Sequence, residues 1–121
     1  MGTRQEKGRR GEEIAAAYLG ERGVEVLVRN YRCRLGEIDL IGRDGETVVF
    51  VEVKSRSHGG RGLPQESVSH EKQRKLTRLA RWFLKERHLE RQRARFDVVA
   101  VTGAPGEPEV TWIVNAFEAC E

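Results

Sequence analysis

The sequence has few of the residues that stabilise small secreted or zinc-binding domains. Its 121 residues include only two cysteines, Cys33 and Cys120, which lie far apart and form no CxxC pair. This spacing indicates neither a disulfide framework nor a zinc knuckle, and it favours a reducing, cytoplasmic setting. The three histidines also lack zinc-binding spacing and are expected on the surface.

Long hydrophobic runs are absent as well. The N-terminal stretch MGTRQEKGRRG is charged and lacks the apolar region of a signal peptide, and no later run reaches membrane-spanning length. Internal repeats and low-complexity stretches are not found. With 38% hydrophobic residues the chain is expected to bury one core, so we predict a single domain over residues 1–121 that makes no membrane contact.

Excess charge of one sign is small overall but concentrated in one segment. The net charge is only +3, yet residues 70–95 carry ten basic side chains and three acidic ones. Such a block favours a polyanionic partner such as nucleic acid. Within it Arg74, Arg78, Arg81 and Lys85 recur at helical spacing and predict one basic stripe. A merely solvated helix face is an equal alternative.

Hydrophobic periodicity and turn signals predict an alternation of helices and strands. The predicted elements are a helix at residues 5–22, a strand at 24–30, a hairpin within 36–54, a helix at 69–88 and strands starting at residues 96 and 109. The glycine-containing stretch 55–67 is predicted to be a loop. The order strand, crossover helix, strand favours a parallel pair, so a mixed sheet with packed helices is expected.

Apolar positions predict which side of each element is buried. The apolar stripe of the first helix is expected to comprise Ile14, Ala17 and Tyr18. In the first strand the apolar positions are Val24, Val26 and Val28, which alternate with other residues. The second helix is expected to bury Leu76, Leu79, Ala80 and Phe83. Trp82 and Trp112 are expected to pack rather than to stack on bases.

Asp44-Gly45 is the strongest hairpin signal in the sequence and predicts a two-residue turn. With that turn, Asp39 is expected to lie opposite Phe50. Strand side chains alternate between the two faces of a sheet, so one face of the hairpin is predicted to be wholly apolar. Its members are Ile38, Leu40, Val49, Val51 and Val53.

The other face of the hairpin is expected to collect Asp39, Glu52 and Lys54. Asp39 and Glu52 are then diagonal neighbours with Cα atoms about 7–8 Å apart, close enough for both carboxylates to reach one cation. Mg²⁺ binds through a few carboxylates, waters and a substrate phosphate, which fits this pair. The alternative is a half-exposed strand pair with solvated or weakly ion-paired charges, worth about 0–1 kcal/mol.

Asp39 followed by Glu52-Val53-Lys54 resembles the D…ExK signature of the PD-(D/E)xK, or restriction-endonuclease-like, nuclease superfamily. Ile38 stands where the full signature has proline. The stretches GRRGEEIAAAYL, RNYRCRLGEIDLI, VFVEVKSR and KQRKL are similar, in this order, to the YraN-like family of uncharacterised bacterial proteins. That family is similar to archaeal Holliday junction resolvases, and the resemblance covers nearly the whole chain.

The resemblance implies an α/β fold with a restriction-endonuclease-like αβββαβ core, in which a mixed central sheet is flanked by helices. It also implies phosphodiester hydrolysis with Mg²⁺ or Mn²⁺. Asp39 and Glu52 match the metal-binding carboxylates and Lys54 the signature lysine. Glu13 matches an additional acidic, metal-binding residue of resolvase-like members, although a helix-dipole role for this first-helix carboxylate is equally expected. Gln73 matches a polar residue of the helix after the motif.

A metal ion can activate water and neutralise charge at the phosphoryl group. Because adjacent carboxylates favour the charged ammonium, we expect Lys54 to position water or stabilise charge rather than to act as a base.

The expected nucleic-acid contacts are Arg56, Arg61, Lys72, Arg74, Arg78 and Arg81. The sequence therefore predicts a metal-dependent nuclease acting on DNA, with branched DNA as a candidate substrate and a homodimer as a candidate assembly. The alternative is a nucleic-acid-binding module that keeps the nuclease fold but does not cleave.

Overall fold

The structure is a computed structural model that describes residues 4–56, 68–103 and 106–120, with side chains from residue 8 onwards. The elements in chain order are α1 (Arg4–Glu21), β1 (Glu25–Cys33), β2 (Gly36–Asp44), β3 (Thr47–Arg56), α2 (His70–Glu86), β4 (Ala94–Thr102) and β5 (Glu109–Phe117). Neither helix in the described part of the chain is both long and apolar enough to cross a membrane.

The five strands form one sheet in the order β1-β2-β3-β4-β5. Three neighbouring pairs are antiparallel, whereas β3 and β4 are parallel and are connected through α2. A parallel pair requires a crossover connection, and here the helix supplies it. The predicted α/β fold with an αβββαβ order and a mixed central sheet is therefore confirmed, with β5 following β4 at the edge.

The sheet separates two hydrophobic clusters. On one face α2 packs Leu76, Leu79, Ala80 and Phe83 against sheet residues that include Phe50. All four predicted α2 positions are buried, because the helix carries its apolar residues at consistent helical spacing. On the other face α1 packs against alternate residues of β2, β3 and β4, namely Leu40, Val49, Val51, Val99 and Val101.

The buried stripe of α1 differs from the predicted one. The structure buries Ala15, Ala16 and Leu19, whereas Ala17 is exposed and Ile14 and Tyr18 are only half-buried. Small residues on the buried side let the helix axis approach the sheet closely. At Gly11, on the same side, a Cβ atom would collide with Ser55 Oγ. The sequence pattern predicted that the larger side chains of α1 would be buried. The close approach of the helix to the sheet instead buries the smaller ones.

The β2–β3 hairpin has a register two residues away from the predicted one. Asp44 pairs with Thr47, so the turn residues are Gly45 and Glu46. Gly45 has a φ of +62°, as expected for glycine at the first central position of a type II′ turn. Asp44 instead ends β2, and its Oδ2 accepts a hydrogen bond of 3.0 Å from Arg95 Nη2.

The predicted pairing of Asp39 with Phe50 is therefore wrong, since Phe50 pairs with Ile41. A shift of two residues leaves side-chain alternation unchanged, so Leu40, Val49 and Val51 still share one face. Ile38 is the exception to the predicted apolar face, because it packs in the cluster on the α2 side.

A β-bulge interrupts β1 at Leu27. Val26 pairs with Gly42, but Val28 pairs with the adjacent residue Ile41, so Leu27 is the extra residue. As a result Val26 packs on the α1 side of the sheet and Val28 on the α2 side. The simple alternation predicted for the valines of this strand does not hold.

Candidate metal-dependent active site

The candidate site begins where the hydrogen-bonded ladder between β2 and β3 stops. The last paired residues are Leu40 and Val51, and Asp39 and Glu52 are the next residues on the two strands. Beyond the ladder the Val53 backbone N–H donates a hydrogen bond of 2.8 Å to Asp39 Oδ2. In the corrected register the two acidic residues are thus the first residues beyond the last pair of the ladder, one on each strand, rather than at the predicted diagonal positions.

The neighbouring strand β1 is irregular at the same level. The β1–β2 register runs from Arg29–Leu40 to Tyr31–Ile38, which places Asn30 across from Asp39. Asn30 has a φ of +52°, a left-handed conformation that asparagine adopts more readily than most residues. Ile38 and Leu40 pack on different sides of the sheet, so strict alternation fails at Asp39.

Glu52 is a buried carboxylate with two lysines nearby. Its exposed fraction is 9%. Its Oε1 lies 3.9 Å from Lys54 Nζ and 3.9 Å from Lys72 Nζ. Burial, and next the negative charge of Asp39, raise the pKa of Glu52 to about 7, while the two lysines act in the opposite direction. The lysines therefore offset only part of the cost of this buried charge.

Asp39 has the same electrostatic character. It is half-buried, and burial raises its pKa above the ordinary value. The hydrogen bond from the Val53 N–H opposes this effect, as does the charge of Lys72. Two carboxyl groups with raised pKa values on adjacent strands form a site where a cation would be stabilised.

A third acidic residue reaches this site from α1, and it is Glu12. Glu12 is half-buried, and its pKa is raised first by burial and next by the charge of Asp39. Positions i+3, i+4 and i+7 from Glu12 are Ala15, Ala16 and Leu19, the buried stripe of the helix. Glu13 is exposed, so the structure brings Glu12 rather than the predicted Glu13 beside Asp39.

The first turn of α2 places Lys72 in the site. Ser69 is the N-cap of the helix, and its Oγ accepts a hydrogen bond of 3.1 Å from the Lys72 backbone N–H. A serine cap at this position fixes where the helix begins, and this makes Lys72 the third residue of the helix. Lys72 was predicted to contact nucleic acid, and the structure places its ammonium group beside Glu52.

Gln73 also lies in the first turn of α2, but its contacts are different. Its Nε2 donates a hydrogen bond of 3.0 Å to the Val68 carbonyl oxygen, and its Oε1 lies 3.7 Å from Cys120 Sγ. The side chain therefore connects the segment before α2 with the C-terminal segment.

The predicted nucleic-acid contacts are distributed between α2 and the end of β3. Arg74, Arg78 and Arg81 are exposed on α2, on the side away from the buried stripe. Arg56 is the last residue of β3 and is half-buried. Arg61 lies outside the described residues, as does most of the predicted 55–67 loop. The basic stripe predicted for α2 is therefore present as an exposed helix face.

The oxygen donors of the site fit a hard divalent cation. No group of three or more histidine, cysteine, aspartate or glutamate side chains with metal-ligating geometry occurs within residues 8–56, 68–103 and 106–120. Mg²⁺, however, commonly binds through one or two carboxylates and takes its other ligands from water and substrate phosphate. The buried carboxylate of Glu52, with Asp39 on the adjacent strand, provides such a set.

Asp97 forms a separate buried acidic network on β4. Its side chain is fully buried and accepts hydrogen bonds from Arg95 Nε, Trp112 Nε1 and the Asn115 backbone N–H, at 3.1, 2.9 and 2.9 Å. With these donors the carboxylate is satisfied within the protein. Asp97 therefore stabilises the β4–β5 pairing and is not part of the candidate site.

Glu12 was not predicted as part of the site, and Lys72 was predicted only as a nucleic-acid contact. For Glu12 the signal was the Ala15, Ala16 and Leu19 stripe, which extends to Glu12 but not to Glu13. For Lys72 the signal was its spacing of three residues from the Ser69 cap. Neither signal indicates which strand the residue lies next to. That follows only from how the helices pack on the sheet.

Comparison with known proteins gives consistent matches over most of the chain. The family model described as "Uncharacterised protein family UPF0102" matches residues 11–101. A UPF0102 protein of Syntrophus aciditrophicus (strain SB) is 50% identical over 111 residues, which cover 92% of this chain and 87% of the relative. A UPF0102 protein of Anaeromyxobacter dehalogenans (strain 2CP-C) is 52% identical over 116 residues, which cover 95% and 86%. These matches confirm the YraN-like resemblance.

Among solved structures, the chain is similar to one in "Structure of EndoMS-dsDNA2 complex", with a TM-score of 0.47 and 18% sequence identity. The match covers 76% of this chain and 34% of that chain, so the present chain corresponds to only a minor part of the other.

Proposed function

The chain belongs to the uncharacterised protein family UPF0102, and we propose that it is a divalent-metal-dependent nuclease that hydrolyses phosphodiester bonds in DNA. One observation carries the proposal. The buried carboxylate of Glu52 lies next to Asp39 at the end of the β2–β3 ladder, and two ammonium groups are 3.9 Å from it. This combination provides carboxylates for a metal ion and positive charge for a phosphate at one point.

Asp39 and Glu52 are the residues that would hold Mg²⁺ or Mn²⁺. When bound, such an ion lowers the pKa of water and stabilises negative charge on a phosphoryl oxygen. The Val53 N–H keeps one oxygen of Asp39 in place, and the strand fixes Glu52. Glu12, on the α1 side, interacts electrostatically with Asp39 and would orient a water molecule near it.

Lys54 and Lys72 supply the positive charge. Lys54 projects from β3 and Lys72 from the first turn of α2, so the two ammonium groups approach Glu52 from different elements. In this role each lysine stabilises charge that develops on the phosphate in the transition state. Neither lysine is required to lose its proton.

DNA is the proposed substrate because the exposed face of α2 next to the site is strongly basic. Arg74 and Arg78 lie on this face. Basic side chains that neutralise phosphates contribute most of the affinity of non-specific DNA binding. The finer proposal is branched DNA, to which the resolvase resemblance points.

A cytoplasmic location and a homodimer complete the proposal. Both Cys33 and Cys120 are free thiols, which a reducing compartment would preserve. A two-fold symmetric dimer would present two sites to a four-way junction, and light scattering with and without junction DNA tests this assembly.

Cleavage assays with matched variants test the function. Duplex, single-stranded and four-way-junction DNA are incubated with the protein in Mg²⁺, in Mn²⁺ and in EDTA. Metal-dependent cleavage is expected for the wild type, and its loss for Asp39→Asn, Glu52→Gln and Lys54→Ala. Glu46→Gln, which changes an exposed carboxylate of the same hairpin, is expected to cleave normally.

A second pair of variants tests the contribution of α1. Glu12→Gln is expected to reduce cleavage about 10- to 100-fold, the range for residues that support metal ligands. Glu13→Gln is expected to match the wild type because its side chain is exposed. Binding without metal-dependent cleavage, unchanged by any of these substitutions, would instead establish the non-catalytic nucleic-acid-binding module.

A further inference from the structure

The two tryptophans have different surroundings. Trp112 is half-buried, and its indole N–H donates a hydrogen bond of 2.9 Å to Asp97. Trp82, on α2, has 49% of its surface exposed. No hydrogen bond, ring contact or cation contact to the Trp82 indole occurs among the described residues. Packing therefore accounts for Trp112 but leaves about half of the Trp82 side chain without a contact in the fold.

Trp82 lies on the flank of α2 that faces the edge strand β1. Lys75, seven residues earlier, is close to the β1–β2 turn, since a Cβ atom on Gly36 would be 2.9 Å from Lys75 Cε. Glu86, four residues later, accepts a hydrogen bond of 3.3 Å from the Tyr31 hydroxyl of β1. Residues at these spacings share a side of a helix. The indole is thus exposed between two contacts with β1 and its turn.

The electrostatic environment of this flank suits a polyanion. Between Glu71 and Glu86 the helix carries six basic residues and no acidic one. These basic residues are Lys72, Arg74, Lys75, Arg78, Arg81 and Lys85. An exposed aromatic ring among basic side chains is the combination with which proteins bind single-stranded nucleic acid, because phosphates contact the cations and bases stack on the ring.

The same helix connects Trp82 to the candidate active site. Lys72, whose Nζ is 3.9 Å from Glu52 Oε1, precedes Trp82 by ten residues. Ten helical residues span about 15 Å, which corresponds to roughly four nucleotide steps at the ~3.4 Å spacing of stacked bases. A strand whose phosphate lies at the site can therefore reach the indole a few nucleotides away.

We propose that Trp82 stacks on an unpaired base of the substrate, so that the protein selects nucleic acid with single-stranded nucleotides close to the cleaved bond. Bases within a duplex are already stacked on their neighbours, so only an unpaired base presents its face to the indole. This inference rests on the proposed function for the position of the strand. It adds a specificity-determining contact that lies outside the carboxylate site.

Binding measurements in EDTA test the stacking contact without cleavage. The probes are a fluorescently labelled twelve-nucleotide oligothymidine, an oligomer of the same length made of abasic residues, and a duplex of the same length. Trp82→Ala and Trp82→Leu are expected to weaken oligothymidine binding about tenfold, within the range reported for a base stacked on an aromatic side chain. Trp82→Phe is expected to retain most of the affinity.

Two controls isolate stacking from general effects. Binding of the abasic oligomer and of the duplex is expected to change less than twofold in every variant. Oligothymidine is also expected to quench the tryptophan fluorescence of the wild type, and not that of Trp82→Phe, which keeps only Trp112. Equal losses on all three probes, or full affinity in Trp82→Leu, would show that no base stacks on the ring.

The remaining outcomes separate this inference from the proposed function. Metal-dependent cleavage with unaltered oligothymidine binding by Trp82→Ala would overturn the stacking contact and leave the nuclease intact. Weaker binding by Trp82→Ala, in a protein that never cleaves, would support the contact and refute the nuclease. If Trp82→Ala changes the mass measured by sedimentation but not DNA binding, the indole is a contact between copies of the chain and the inference fails.

Discussion

The carboxyl group of Glu52 is buried beside a second carboxyl group, an arrangement that costs folding free energy. Its neighbours Lys54 and Lys72 each stand 3.9 Å away, beyond the length of a good hydrogen bond. A buried charge that is only partly compensated destabilises a fold. The fold retains such a buried charge at the end of the β2–β3 ladder, as expected of a site that a bound cation completes.

Replacing Glu52 with Gln is expected to stabilise the metal-free protein at high pH. Unfolded glutamate titrates near 4.5, whereas burial and the charge of Asp39 raise the folded pKa of Glu52 to about 7. Between these values the unfolded chain releases a proton that the folded protein keeps, so the wild type loses stability as pH rises from 4.5 to 7. The full loss is roughly 3 kcal/mol, because each pKa unit corresponds to ~1.4 kcal/mol, and about 2–3 kcal/mol of it falls between pH 5 and pH 8. Urea unfolding of both proteins in EDTA, at pH 5 and pH 8, measures it.

Glu46→Gln is the control for this comparison, since Glu46 is exposed in the hairpin turn. It is expected to follow the wild type at both pH values. Adding Mn²⁺ at pH 8 is expected to stabilise the wild type and not Glu52→Gln, because a ligand that binds only the folded state raises its stability. A Glu52→Gln variant less stable than the wild type at pH 8 in EDTA would contradict the assignment of Glu52 as a destabilising buried charge.

At the scale of elements, the sequence predicted which segments form helices and strands, and it was least accurate where packing overrides periodicity. The apolar positions of α2 are large and regularly spaced, so its buried face was predicted correctly. The buried positions of α1 are mostly alanines, which carry a weak hydrophobic signal. The predicted face was therefore displaced, and with it the acidic residue assigned to the site. Close approach to the sheet is a tertiary property that residue spacing alone does not encode.

The strand registers were also predicted only in part. The Asp44-Gly45 signal located the hairpin, but the glycine took the first turn position and moved every pair by two residues. In the corrected register Asp39 and Glu52 each follow the last pair of the ladder, so they remained close despite the error. A bulge changes alternation by one residue, so the bulge at Leu27 invalidated the prediction for β1.

The bulge in β1 is expected to require glycine at position 42. A Cβ atom there would lie 2.8 Å from Val24 Cγ1 and 3.0 Å from the Glu25 carbonyl oxygen. Since a backbone oxygen cannot rotate away, Gly42→Ala is expected to destabilise the fold by about 1–3 kcal/mol, the usual cost of overpacking. Urea unfolding measures the change.

Gly20→Ala in α1 is the matched control, because nothing lies within 4 Å of the added Cβ. Alanine is the better helix former, so this variant is expected to be more stable than the wild type, by up to about 1 kcal/mol. If Gly42→Ala unfolded at the same urea concentration as the wild type, the bulge would tolerate a side chain and would not depend on glycine.

At the scale of the whole molecule, the candidate site draws on both faces of the sheet. Lys72 comes from α2 on one face, and its ammonium group lies 3.9 Å from Glu52. Glu12 comes from α1 on the other face, and the charge of Asp39 raises its pKa. The motif residues were accessible to sequence analysis because they lie on one hairpin. The helical residues were not, since their place follows from how two helices pack on opposite faces of one sheet. Basic charge is likewise concentrated on the outer side of α2.

Removing charge from α2 is expected to change how DNA binding depends on salt. The double variant Arg74→Ala/Arg78→Ala removes two exposed basic residues of the helix. Each lost phosphate contact lowers the slope of log affinity against log salt by about 0.9 for duplex DNA, so a total decrease of about 2 is expected. Arg91→Ala/Arg93→Ala removes the same charge from the exposed segment between α2 and β4 and is expected to leave the slope unchanged. Titration of labelled duplex in EDTA at several salt concentrations measures both. Equal slopes for the two double variants would mean that net charge, rather than the α2 surface, governs DNA binding.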